Sequence, residues 1–120
     1  MLRGAAAALC VLILVFASEG KTADRMRFWN LTGADVANLQ LAPAGTERWS
    51  SNQCKNDPDG AVSPDERLEL TGITPGRYDV RLGTSDGRAC LVRNVEVKSG
   101  QSYAFSLSES DLVDCTKRER

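Results

Sequence analysis

The chain has 120 residues, with 15 basic and 16 acidic side chains, no histidine and four cysteines. That length suits one domain at most. The near-neutral balance excludes a nucleic-acid surface or a polybasic membrane patch, which need concentrated positive charge, and the lack of histidine excludes Ser-His-Asp and Cys-His catalysis, histidine-assisted zinc sites and histidine-based pH switching.

Met1-Leu2-Arg3 is a short positive start, and 4–16 is an apolar run rich in Ala, Leu and Val. The run is shorter than the roughly 20 residues needed to span a bilayer. Small residues follow it, so 1–17 is read as a secretory signal peptide cut after Ala17, with Gly20 as a second position. An uncleaved anchor is the competing explanation. Cys10 lies inside the run behind Leu9, where a lipoprotein would carry a small residue. The expectation is a periplasmic or secreted protein with no stable membrane span after cleavage.

Cleavage leaves Cys54, Cys90 and Cys115, and an exported chain meets an oxidising compartment. Three cysteines mean one bridge and one free thiol, or an intermolecular bond, hence a monomer or a disulfide-linked dimer. All three single pairings are open. Cys90 lies in a strand candidate and Cys115 would staple the tail to it, so Cys90–Cys115 is the preferred pair.

Residues 18–24 are a polar, flexible start. In 25–31, Met26 and Phe28 share one face of a strand candidate, with Trp29 and Leu31 on the other. The turn Thr32–Asp35 leads into 36–42, where Ala37, Leu39 and Leu41 alternate with Asn38 and Gln40. These two runs predict a first hairpin, closed by Pro43-Ala44-Gly45. Residues 46–65 are irregular and rich in Asn, Asp, Ser and Pro, a long loop that is functional or tied down. Cys54 and a buried Trp49 are its candidate ties.

The stretch from Arg67 to Val97 carries the strongest pattern. Leu68 and Leu70 alternate with Arg67, Glu69 and Thr71, and Tyr78, Val80 and Leu82 alternate with Arg77, Asp79 and Arg81. Thr74-Pro75-Gly76 suits a type II turn and Asp86-Gly87 a tight hairpin. Val92, Val95 and Val97 continue the pattern, with Asn94 as a candidate bulge. Ser99-Gly100 turns into 102–107, where Tyr103, Phe105 and Leu107 share a face. Ser108, with Asp111 three residues on, predicts a short capped helix docked by Leu112 and Val113. The tail 116–120 is expected to be disordered. The prediction is an all-β fold, a small antiparallel β-sandwich of about seven strands over 25–115, with one long irregular loop and a short C-terminal tail.

Several groups are candidate sites. Laid on an EF-hand loop, Asp57 falls at position 3, Asp59 at 5, Gly60 at 6, Ser63 at 9 and Glu66 at 12, so Asp57, Asp59 and Glu66 are candidate calcium ligands. Lys55 stands where that loop carries its first anionic ligand, and an acidic turn explains the same residues. Trp29 and Trp49 are candidate binding aromatics, set against a small sandwich's need for aromatic core. Arg77, Arg81, Arg88 and Arg93 with Asp79 and Asp86 form either an anion-binding stripe or a solvated, salt-bridged face. Asn30-Leu31-Thr32 is a glycosylation sequon, meaningful only in a eukaryotic host. A glycosidase would need two carboxylates across a cleft, and a domain this small has little room for one.

Two resemblances follow from these residues. The run from Leu70 to Val80, LTGITPGRYDV, with Asp86-Gly87, Val95-Glu96-Val97 and Gly100, resembles the core of transthyretin-like and carboxypeptidase-regulatory-like sandwiches. FWNLTG at 28–33, LQLAPAGTERW at 39–49, NDPDG at 56–60, ERLELTGI at 66–73, GRYDVRL at 76–82 and CLVRNVEV at 90–97 resemble a group of small exported bacterial proteins without assigned activity. These resemblances imply fold and location, and no catalytic residue. The expected function is a non-enzymatic envelope structural or interaction protein, without cofactor unless calcium, engaging an envelope protein or ligand. The alternatives are a calcium-binding module and a small secreted inhibitor or ligand-binding protein presenting the long loop.

Overall fold

The computed structural model describes residues 25–117, so the signal-peptide expectation and the last three residues lie outside the described part. Seven strands form: β1 (Arg27–Leu31), β2 (Val36–Pro43), β3 (Arg67–Glu69), β4 (Gly76–Thr84), β5 (Arg88–Val97), β6 (Phe105–Ser108) and β7 (Cys115–Lys117). They make a three-stranded sheet, β3-β1-β6, and a four-stranded sheet, β2-β4-β5-β7. The fold is all-β and mostly antiparallel, a small sandwich as expected.

The alternation in the sequence decides which faces meet. Phe28 and Asn30 of β1, Leu39 and Leu41 of β2, Val80 and Leu82 of β4, and Leu107 of β6 are almost fully buried. Phe28 and Phe105, neighbours on β1 and β6, have ring centroids 5.1 Å apart. Burying one large apolar side chain contributes about 1.5–3 kcal/mol, so this layer supplies the main favourable term.

The hairpin expected at Asp86-Gly87 forms between β4 and β5, but connectivity departs from the sequence reading at the other two expected hairpins. β1 does not pair with β2, and β3 does not pair with β4; each pair crosses from one sheet to the other. Local turn chemistry cannot distinguish a hairpin from a corner, because both need the same polar and glycine residues. At the first corner the fully buried Asn30 holds the chain. Its Nδ2 donates to the carbonyls of Ala34 and Val62, both at 2.9 Å, and its Oδ1 accepts from Thr32 N at 2.9 Å and Thr32 Oγ1 at 2.7 Å. At the second, Tyr78 Oη donates to Thr74 O at 2.7 Å, and Gly72 takes φ +72°. A tyrosine hydroxyl reaching back to backbone a few residues upstream is the tyrosine corner of other sandwiches.

Three further differences concern register and ends. A β-bulge between Val36 and Asn38 buries Val36 and turns Ala37 outward, reversing the face expected for Ala37. β6 runs parallel to β1, Phe28 opposite Phe105, so the sandwich is not purely antiparallel. The tail is not disordered from 116: Thr116 and Lys117 belong to β7, which pairs with β5. Asn94 does sit in a bulge, at φ +59°, where two residues of β5 oppose Asp79. Glu109–Asp111 forms a single 3₁₀ turn with a capping box from Ser108 to Asp111. Leu112 packs on the core, but Val113 is 84% exposed and docks nothing.

Candidate functional site

The long loop is built from its own polar side chains. Asn52 caps a 3₁₀ turn, Gln53–Asn56, through Oδ1 to Cys54 N, and the same oxygen accepts from Leu39 N of β2 at 2.9 Å. Gln53, nearly fully buried, bonds both the N–H and the carbonyl of Thr71. Cys54 is completely buried, with Sγ donating to Val36 O at 3.3 Å. Burial, and then the nearby Asp57 charge, push its thiol up to about 12. Val62 bridges to Val36. The loop is thus tied down along β2, and its first half, 47–52, rises beside the outer face of the four-stranded sheet.

That arrangement borders an open cleft of about 820 Å³ on the sheet face. Its floor is a row of small side chains in register across four strands, Asn38 opposite Gly83, Gly83 opposite Ala89, and Ala89 opposite Thr116. Four strands at about 4.8 Å spacing make this row about 14 Å long. Trp49 and Arg81 form one side. The Arg81 guanidinium carbon lies 4.4 Å from the centroid of the Trp49 ring, and Arg81 Nε donates to Gln40 Oε1 at 3.1 Å. Gln40 Nε2 in turn donates to Ser50 O, so the loop and the arginine are held in one frame. Glu47 and Asp114 also line the cleft, and both are exposed. Glu47 takes φ +59°, a sparsely populated conformation for a residue with a side chain.

The arginine stripe divides into used and unused cations. Arg88 binds Asp86 at 3.0 Å and Glu109 at 2.9 Å, and Glu109 also accepts from Gly33 N. The Arg88 guanidinium, with Thr84 Oγ1, holds Asp86 down at about 2. It holds Glu109 below the usual carboxylate range, with help from Gly33 N–H. Arg93 lies 3.5 Å from Asp79, and Arg77 lies 3.9 Å from Glu96. Arg81 makes no carboxylate ion pair among the described residues and stands over Trp49 instead. So most of the stripe is a salt-bridged face; Arg81 and Arg88 both line the cleft, Arg88 already ion-paired.

Trp29, expected as an exposed aromatic, is partly covered. It packs on Tyr103 with centroids 5.0 Å apart, carries Arg67 4.1 Å from its ring centroid, and donates Nε1–H to Asp65 at 3.1 Å. It lies on β1 of the three-stranded sheet, whereas the cleft lies on the four-stranded one. Trp49 is partly exposed, so it is a wall of the cleft rather than a buried tie.

The expected calcium residues are occupied locally. Asp57 Oδ2 accepts from Asp59 N at 2.8 Å, and Glu66 Oε1 accepts from Ser63 N at 2.9 Å. Among the described residues no three acidic or cysteine side chains are grouped to hold a metal ion. Cys90 and Cys115 form the disulfide, directly opposite one another on β5 and β7 with Cα atoms 4.0 Å apart. The sequon asparagine, Asn30, is fully buried and its Nδ2 is spent on two carbonyls. Glu47, Asp114 and Thr116 were missed as site residues. Nothing local marks them, since the cleft joins chain segments from 37 to 116 through sheet order alone.

Comparison with protein-family models, with curated proteins and with solved structures finds no match for this chain.

Proposed function

We propose that the protein is an exported, non-enzymatic binding module of the cell envelope, whose working surface is the cleft beside Trp49. The observation that carries this reading is the combination in one cleft of a partly exposed tryptophan, an arginine without a carboxylate partner among the described residues and two exposed carboxylates. Binding clefts set a few placed polar groups beside apolar and aromatic lining, and here Trp49 and the Gly83–Ala89 floor stand beside Arg81, Glu47 and Asp114. Export is supported by the apolar, small-residue-terminated N-terminus and by the intrachain disulfide, which suits an oxidising compartment. No helix among the described residues is long and apolar enough to cross a membrane. A passive role is supported by the lack of histidine and by the setting of Glu47 and Asp114. Both stand in free contact with water, whereas a catalytic general acid is held in apolar surroundings.

The test is copurification from envelope extract, comparing the wild-type chain with Trp49→Ala and Arg81→Ala. At least one component retained by the wild type is expected to be lost with both variants. Equal recovery of every component would overturn the assignment of the cleft.

A further inference from the structure

We infer that the cleft takes a neutral oligosaccharide. This rests on the binding role assigned to the cleft above and goes further by naming the ligand class. The argument starts from what a ligand there can touch. The backbone N–H and C=O groups of β4 and β5 beneath the cleft are spent on neighbouring strands; where it reaches the edge strand β2, Ser50 and Asn52 of the loop take the free Leu39 and Leu41 N–H groups, and the other edge strand, β7, is only three residues long. An extended peptide therefore finds no ladder to join, and recognition falls to side chains. Those side chains offer both signs of hydrogen-bonding partner. Arg81 donates only, Glu47 and Asp114 accept only, and Asn38 and Thr116 do both.

A polyhydroxylated ligand meets that mixture, because each hydroxyl is donor and acceptor at once. A guanidinium or a carboxylate each engages two groups side by side, the spacing that neighbouring ring hydroxyls present. The apolar partners match the other half of a sugar. One face of the Trp49 ring is covered by Arg81, so the remaining exposed part of the ring is the surface for the C–H side of a pyranose, and the Gly83–Ala89 floor lets a sugar ring approach the sheet without a side chain in the way.

Charge selects within the class. Arg88 lines the cleft but is committed to Asp86 and Glu109. The groups left over are one cation, Arg81, against two anions, Glu47 and Asp114. A sulfated, phosphorylated or uronic-acid-rich glycan would meet net negative charge and be repelled at low salt.

The experiment is titration of the exported chain with neutral oligosaccharides, with anionic oligosaccharides and with short peptides. Isothermal calorimetry gives affinity, and chromatography of the sugar afterwards gives its integrity. Binding of a neutral oligosaccharide is expected, weakened about tenfold or more by Trp49→Ala. Trp29→Ala, on the other sheet, is expected to leave it unchanged, and matching melting curves establish that both variants fold. Binding confined to anionic glycans or peptides would overturn the ligand class while leaving the cleft in place. So would an absence of glycan binding alongside Trp49-dependent recovery of an envelope component. Neutral-glycan binding that survives Trp49→Ala and Arg81→Ala would remove the cleft itself. Cleaved sugar would overturn the non-enzymatic reading and turn attention to Glu47 and Asp114.

Discussion

Asn30 is the residue on which the crossing between the two sheets turns. Its side chain closes four hydrogen bonds at a fully buried position. Asn30→Ala would leave Thr32 N unmet, whereas Ala34 O keeps Thr32 Oγ1 and Val62 O keeps Val36 N as donors; an unmet buried polar group costs about 1–3 kcal/mol. The expected loss is about 1–3 kcal/mol, read by urea denaturation; a loss well below about 1 kcal/mol would show that water replaces the side chain. Asp79 has a similar role at the bulge of β5. It is 5% exposed, and its carboxylate accepts from Gly45 N and Asn94 N, both at 3.0 Å. Those two backbone donors, and then Arg93, hold its carboxyl below the usual range against the opposing effect of burial.

The folded-state value is depressed, so its stabilisation is present above about pH 4, the unfolded value. It is lost as the pH falls through the folded value, and Asp86 and Glu109 add to the same acidic window. Asp79→Asn sets an NH₂ against one of those N–H donors, an expected loss of about 2 kcal/mol at neutral pH. Denaturation at neutral pH and near pH 2 checks this: the gap between wild type and variant narrows in acid. A gap independent of pH would mean that the charge on Asp79 contributes nothing.

At the scale of elements, β7 is the piece that local pattern did not predict. Three residues, Cys115–Lys117, show no alternation that marks a strand; they become one because Cys115 meets Cys90 across β5. The bridge closes a sequence separation of 25 residues, for which the chain-entropy account gives about 3 kcal/mol. Cys90→Ala with Cys115→Ala is expected to lower stability by about that amount and to release β7. Hydrogen exchange should then speed up at Leu91, whose N–H donates to Asp114 O. Unchanged exchange there would mean that β7 holds by pairing alone. The central strands show the opposite case. In β4, Tyr78, Val80 and Leu82 face inward as their spacing predicts, because a period of two leaves a half-buried strand only one good register. Turns were less legible, since Pro, Gly, Asn and Asp supply the same backbone freedom to a hairpin and to a corner.

Over the whole molecule, the two sheets have edges that would invite pairing with another chain, and the edge beyond β7 is blunted. β7 covers β5 only from Arg88 to Cys90; beyond it come the Asn94 bulge, Arg93, Glu96 and Lys98. Bulges and charges of this kind discourage edge-to-edge association. Among the described residues the one thiol outside the disulfide, Cys54, is completely buried and so does not favour a disulfide-linked dimer. Calcium should leave the fold's stability unchanged. Asp57 and Glu66 already serve as acceptors within their own turns, so melting in calcium and in chelator is expected to coincide. A melting point raised by several degrees in calcium would show that the loop reorganises to bind it.

By itself the sequence determined the class of fold, the inward faces of β1 and β4, the Asn94 bulge and, through the expectation of an exported chain left with three of its four cysteines, the preferred Cys90–Cys115 pair. These follow from short-range rules: a period of two, a residue's backbone freedom, the oxidation expected outside the cytoplasm. Only the tertiary structure decided which strands pair, that β6 runs parallel to β1, and that Trp49 and Arg81 stand together over a trough ending at Thr116. Strand order depends on burial summed over both sheets, and no local segment carries that sum.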